Sequence, residues 1–282
     1  MTNRKTLALA LALALGASML AQPALAAMKS KITIATEGAY KPYNFKDSAG
    51  NLVGFEIDLA KELCKRIKIE CTIIEQEWDG IIPGLTNGRY DAIMAGMSIK
   101  PDREKVISFS RYYAATPIRF ATLKSSKFAS YKGMMDAITL GEVDDKEKAE
   151  LDGIRKALEG LTVGVQGSTT HESFMKEFMP GIALKTYAKM DDMILDLEAG
   201  RIDAGYTAVT YLAPLKEKNK DIVEVGPDMT GGPLGRGVAV GIRQEDKELR
   251  EAFTAAINST IKDGTLSKMA IQWFTFDASA KE

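Results

Sequence analysis

The chain reads as an α/β protein of two lobes built on one plan. Strand-like and helix-like segments alternate along it, the pattern of sheets covered by helices. The stretch from Ile81 to Ala92 holds a short helix, a Gly88-Arg89 turn and an Asp91-Ala92 strand start, and the stretch from Met193 to Ala204 repeats it with Gly200-Arg201 and Asp203-Ala204. The 282 residues suffice for two lobes of roughly 100 to 150 residues each. Mainly parallel sheets are expected, with ligands bound outside the carboxyl ends of the strands. Two such lobes face to face trap a ligand between two sets of loops.

In chain order, Arg4 and Lys5 precede an apolar run from Leu7 to Leu20, and Ala24-Leu25-Ala26 offers small residues where a signal peptidase reads. Residues 1–26 are therefore expected to be a signal peptide and the mature chain to be exported. The run is short for a membrane anchor, and no later stretch is apolar enough to span a bilayer. No cysteine follows it, so no lipid anchor is expected. Without Arg4 and Lys5 the chain has 35 basic and 38 acidic residues, a net charge of -3. That balance argues against a nucleic-acid partner.

Lys31 to Thr36 alternates like a strand and runs into the loop that holds Glu37 and Tyr40. Gly54-Phe55-Glu56-Ile57-Asp58 opens an amphipathic helix with Leu59, Ala60, Leu63, Cys64 and Ile67 on one face. Trp78 precedes Asp79-Gly80 at a helix start. The segment Asp91 to Ile99 reads as a strand ending in Ala95-Gly96-Met97-Ser98, and Pro101 is a natural first residue for a short helix carrying Arg103. Leu161 to Gln166 reads as a second opening strand, and Gln166-Gly167-Ser168-Thr169-Thr170 as a loop whose free N–H groups favour an anion, with capping by Ser168 equally compatible. His171, the sole histidine, reads as a helix-start residue, and with only two cysteines no metal site is expected. Asp246 to Lys262 looks like an amphipathic helix. From Ala129 to Gly160 the chain carries a charged stretch, with Asp144 to Leu158 read as a solvated helix without a binding role.

The segment from Gly54 to Ile67 resembles the signature of the polar-amino-acid solute-binding proteins of bacterial ABC transporters, family 3, which includes lysine/arginine/ornithine-, octopine- and nopaline-binding members. The resemblance covers almost all of the mature chain. It implies a two-lobed periplasmic binding protein fold (type II) with a hinge between lobes, crossed near Ala115 to Arg119 and again near Pro233 to Gly237. Lobe 1 is then 27–116 and 237–282, and lobe 2 is 117–236, with an inserted helical segment at about 129–160. A similar insertion occurs in opine-binding members. Cys64 and Cys71 are the only cysteines. Export and the resemblance favour a structural disulfide between them, with two buried thiols as the alternative.

The resemblance also implies roles. Arg103 and Ser98, at the family's spacing, clamp a carboxylate, with Ala95, Gly96 and Met97 in the same loop and Gln166, Ser168 and Thr169 across the cleft. Glu37 faces a cationic side chain, Tyr40 and Trp78 sandwich the ligand, and Glu56 is a possible second acid. The family's aspartate for the ligand's α-ammonium is absent, and Ala208 stands in its place. An unpaired buried ammonium costs several kcal/mol, so an opine, substituted on that nitrogen, is expected. The ligand is thus a cationic amino acid or an arginine-type opine, delivered to a membrane permease by a monomer without cofactor. A dehydratase of the arogenate or prephenate type on the same fold is the enzyme alternative, with Glu37 as general acid.

Overall fold

A computed structural model describes residues 29–282; the signal-peptide reading of 1–26 lies outside the described residues. Two mixed sheets form the frame. The first has the order β5-β1-β6-β14-β7, from β1 (Lys31–Thr36), β5 (Glu70–Glu75), β6 (Ala92–Ile93), β7 (Ser108–Ala114) and β14 (Val238–Ile242). The second has the order β11-β10-β12-β8-β13-β9, from β8 (Ile118–Leu123), β9 (Ala137–Thr139), β10 (Thr162–Gln166), β11 (Ala183–Tyr187), β12 (Ala204–Ala208) and β13 (Ile222–Thr230). A three-stranded sheet of β2 (Ala39–Tyr40), β3 (Asn44–Lys46) and β4 (Leu52–Val53) follows β1. The chain passes from the first large sheet to the second between Ala114 and Ile118, and returns between Thr230 and Val238.

The helices are α1 (Phe55–Ile67), α2 (Ile81–Thr86), α3 (Pro101–Glu104), α4 (Asp145–Ala157), α5 (Thr170–Phe178), α6 (Met190–Glu198), α7 (Val209–Lys218), α8 (Lys247–Lys262) and α9 (Thr265–Phe274). Helix α1 buries Phe55, Leu59 and Leu63 in a core shared with Phe253 of α8 and Phe274 of α9. Cys64 and Cys71 are disulfide-bonded, tying the end of α1 to β5.

The sequence echo has a bonding basis. In each half a glycine with positive φ, Gly88 at 73° or Gly200 at 67°, ends the helix. The arginine after it then donates its N–H five residues back, Arg89 to the Gly84 carbonyl and Arg201 to that of Asp196. The aspartate that follows clamps the opening strand. Asp91 accepts from the Thr33 N–H at 2.9 Å, and Asp203 from the Thr162 N–H at 2.8 Å.

Three expectations are corrected. The sheets are mixed: pairing is parallel around β1 and β10 and between β9 and β13, whereas β14 runs antiparallel to β6 and β7, and β8 antiparallel to β12 and β13. Strands that enter from the other sheet arrive without a crossover helix, so they need not run parallel. The strand read over Asp91 to Ile99 is only the two residues of β6, because Gly96 turns left-handed at φ 62° and breaks the extension. The charged helix α4 is not simply solvated. A capping box of Asp144 and Glu147 starts it, and Leu151, Ile154 and Leu158 pack into the second lobe's core with Phe120 and Phe128. Glu150 is fully buried, accepting bonds from the Tyr131 hydroxyl at 2.9 Å and the Met134 N–H at 2.6 Å.

Candidate ligand-binding site

The two large sheets face each other across a cavity of about 320 Å³. Glu37, Tyr40, Trp78, Ala95, Gly96, Ser98 and Arg103 line it from one side, and Gln166, Thr169 and Ala208 from the other. Direct bonds already span the gap. Gln166 Nε2 donates to Glu37 at 2.6 Å, and Trp78 Nε1 donates to the Ser168 carbonyl at 3.3 Å.

Arg103 sits in the first turn of α3 and is only 6% exposed. Its Nη1 donates to the Ser98 carbonyl at 2.9 Å, and its guanidinium lies 5.1 Å from the Trp78 ring centre. No carboxylate pairs with it among the described residues. Burial pushes its pKa down to about 10, which leaves it protonated at neutral pH. Such a group is a ready clamp for an incoming carboxylate.

Glu37 is 5% exposed, and among the described residues its only side-chain bond is the one from Gln166. Burial pushes its pKa up to about 7; the Gln166 bond offsets part of that rise, and the charge of Glu56 adds to it. The cavity thus holds a buried cation and a buried acid, neither neutralised by an opposite charge in direct contact.

A buried network behind the wall aims the loops. Glu56 accepts from Asn44 Nδ2 at 2.6 Å, from the Gly96 N–H at 2.7 Å and from the Tyr113 hydroxyl. Asn44 Oδ1 in turn accepts from the Gly38 N–H at 2.7 Å. One carboxylate therefore fixes both the Glu37 loop and the Gly96 loop, and does so from outside the cavity wall. This is the physical role of Glu56, read above as a possible second acid. Gly96 is needed where it stands, because a Cβ there would lie 3.0 Å from the Tyr40 ring at a φ of +62°.

Some site residues stand elsewhere than expected. Met97 points away from the cavity into a core with Ile93 and Ile107, since neighbouring side chains of an extended segment alternate and Ser98 takes the cavity side. Ser168 lies outside the wall. Its N–H goes to Glu172 at 2.7 Å and its carbonyl to Trp78. Thr169, not Ser168, caps α5, by accepting from the Glu172 N–H. Tyr40 and Trp78 line the cavity, yet each ring also has partners of its own. Tyr40 stacks on Tyr43 and Tyr211, both at 5.4 Å, and Trp78 lies against Arg103.

Sequence reasoning missed other parts of the wall, among them Thr139, His171, Thr230 and Arg236. The Gly/Pro-rich run from Gly231 to Gly237 was a legible signal, although only Pro233 to Gly237 was read, and only as a crossing. Thr139 had none, because it lies in the charged stretch from Ala129 to Gly160.

The model of the bacterial extracellular solute-binding proteins, family 3, matches residues 32–276. The chain belongs to this family. This solute-binding protein is 40% identical over 275 residues to an octopine-binding periplasmic protein of Rhizobium meliloti, covering 90% of this chain and 93% of the relative. To a histidine-binding periplasmic protein of Salmonella typhimurium it is 37% identical over 279 residues, covering 97% and 98%. Its fold matches a solved periplasmic His/Glu/Gln/Arg/opine family-binding protein from Silicibacter pomeroyi in complex with lysine. The TM-score is 0.70 at 34% identity, over 88% of this chain and 99% of that one. The solute-binding protein thus has the two-lobed periplasmic binding protein fold, and its cavity lies between the lobes.

Proposed function

We propose that this chain is the periplasmic binding component of an ABC importer and takes an arginine-type ligand substituted on its α-nitrogen, as in the opines octopine and nopaline. One observation carries the reading. Two buried charges of opposite sign, Arg103 and Glu37, line a single cavity without compensation, while a methyl group stands at Ala208. A ligand with a carboxylate at one end and a guanidinium at the other satisfies both charges. Arg103 grips the carboxylate bidentately with Ser98 beside it, and Glu37 takes the guanidinium near Tyr40 and Trp78. At Ala208 no acid meets the α-nitrogen, which favours a secondary amine carrying a bulky substituent over a free ammonium.

The ligand bridges the lobes, 27–116 with 237–282 on one side and 117–236 on the other. It thereby stabilises the closed form that a membrane permease recognises. A thermal-shift screen of the mature chain with arginine, ornithine, lysine, histidine, octopine and nopaline tests the reading, which expects the largest shifts from the two opines. Largest shifts from free arginine or lysine support a cationic amino acid carrier instead. The Glu37 carboxyl, pushed up to about 7, also suits a general acid. A prephenate and arogenate turnover assay distinguishes a dehydratase from a carrier.

A further inference from the structure

His171 is the chain's only histidine, and the cavity wall leaves it without a partner. It is 7% exposed, it lines the cavity, and its Nδ1 is buried and has no partner among the described residues. Its ring stands edge-on to Tyr206, with centroids 6.0 Å apart. Burial first, and then the charge of Arg103, push its pKa down to about 4. The ring is therefore neutral at physiological pH and carries one N–H and one bare nitrogen. Nδ1 is closed off from the cavity as well as unbonded, so the ring meets a ligand through Nε2, which has no hydrogen-bond partner among the described residues.

The surroundings are rich in donors. Thr170 and His171 are the first two residues of the nine-residue helix α5, so their backbone N–H groups have no acceptor within the helix. Thr139 and Thr230 sit side by side in the pairing of β9 with β13, exposed at the cavity rim. The nearby acids are engaged elsewhere. Glu172 holds the Ser168 N–H and Lys176, and Glu147 holds the backbone N–H groups of Thr139 and Asp144.

We infer that His171 and the start of α5, with Thr139 and Thr230 on the rim, form a second carboxylate subsite for the acid carried on the ligand's N-substituent. The inference rests on the reading that Arg103 holds the α-carboxylate, because one guanidinium clamps one carboxylate and leaves a second in need of donors. It also gives the inserted stretch a purpose, since β9 brings Thr139 to the wall.

Calorimetric titration of the mature chain with octopine and with arginine tests it, on wild type, His171→Phe, His171→Asn and Thr139→Val. Phenylalanine keeps the packing on Tyr206 without an N–H, and asparagine restores a donor. The subsite predicts that His171→Phe weakens octopine about tenfold more than arginine and that His171→Asn recovers most of the difference. Thr139→Val, at an exposed position, should shift the ratio in the same direction by less, and it serves if the phenylalanine variant does not fold. Equal losses for both ligands in the two variants overturn the subsite while leaving the opine reading in place. A wild type that binds arginine and rejects octopine overturns the opine reading and the subsite with it.

Discussion

The acid at the cation end of the cavity should make binding depend on pH in a calculable way. In the empty cavity burial holds the Glu37 carboxyl at about 7, so close to half the molecules carry its proton at pH 7. A guanidinium beside it favours the charged form and lowers that pKa in the complex. Binding of a cationic ligand therefore releases about 0.9 proton at pH 6, about 0.5 at pH 7 and about 0.1 at pH 8. Affinity is full above pH 7 and falls as pH drops through it, by roughly 30-fold between pH 8 and pH 5.5, about 2 kcal/mol. Calorimetry at pH 6 to 7 in phosphate and in Bis-Tris, whose ionisation enthalpies differ, reads the proton release directly. Glu37→Gln should abolish the release and flatten the pH profile. The same shift has an opposite sign for the empty protein. A folded pKa above the unfolded value makes stability fall as pH rises from about 4.5 to 7, by about 3 kcal/mol. Glu37→Gln should thus raise the melting temperature of the ligand-free protein at pH 8. A wild type that binds arginine-type ligands with no proton release at pH 6 refutes the placement of the guanidinium at Glu37.

Three further outcomes are expected. Arg103→Ala should lower affinity by roughly 3–5 kcal/mol in calorimetry, since a ligand carboxylate is then buried unpaired; near-native binding excludes the clamp. Gly96→Ala should weaken binding and lower the melting temperature, because the left-handed turn and the Tyr40 ring both resist a Cβ; a variant with unchanged affinity means that this loop does not shape the site. Replacing Cys64 and Cys71 by serine should cost about 2 kcal/mol of stability, as set by the short loop the bridge closes. Ligand affinity should stay the same, because the bridge joins α1 to β5 away from the cavity, and a large affinity loss contradicts that purely structural role.

The parts of this molecule legible in sequence were those written in local chemistry. The Gly-Arg turns and the aspartates after them repeat because each half closes its helix and clamps its first strand with the same bonds. Arg103 was readable because Pro101 fixes the helix start that carries it. What was not readable depends on tertiary direction. Met97 and Ser98 are neighbours in an extended segment, so one enters the core and the other the cavity, and which of the two faces the cavity is set only by the packing of the segment after the turn at Gly96. Glu150 sits in a run of charges and is buried because Tyr131 and Met134, far back along the chain, supply its bonds. His171 looked like any helix-start residue, and only the approach of the opposite lobe with Arg103 gives it a cavity to face.

The residue at position 208 bears most directly on the central claim, that two uncompensated charges and a missing acid select an N-substituted arginine. Competition calorimetry of arginine against octopine, on wild type and on Ala208→Asp, measures it. The account predicts tighter octopine than arginine binding in the wild type. In the variant it predicts a reversal, as the new carboxylate pairs the free ammonium and repels the second carboxylate of the opine. Tighter arginine than octopine binding in the wild type contradicts the account.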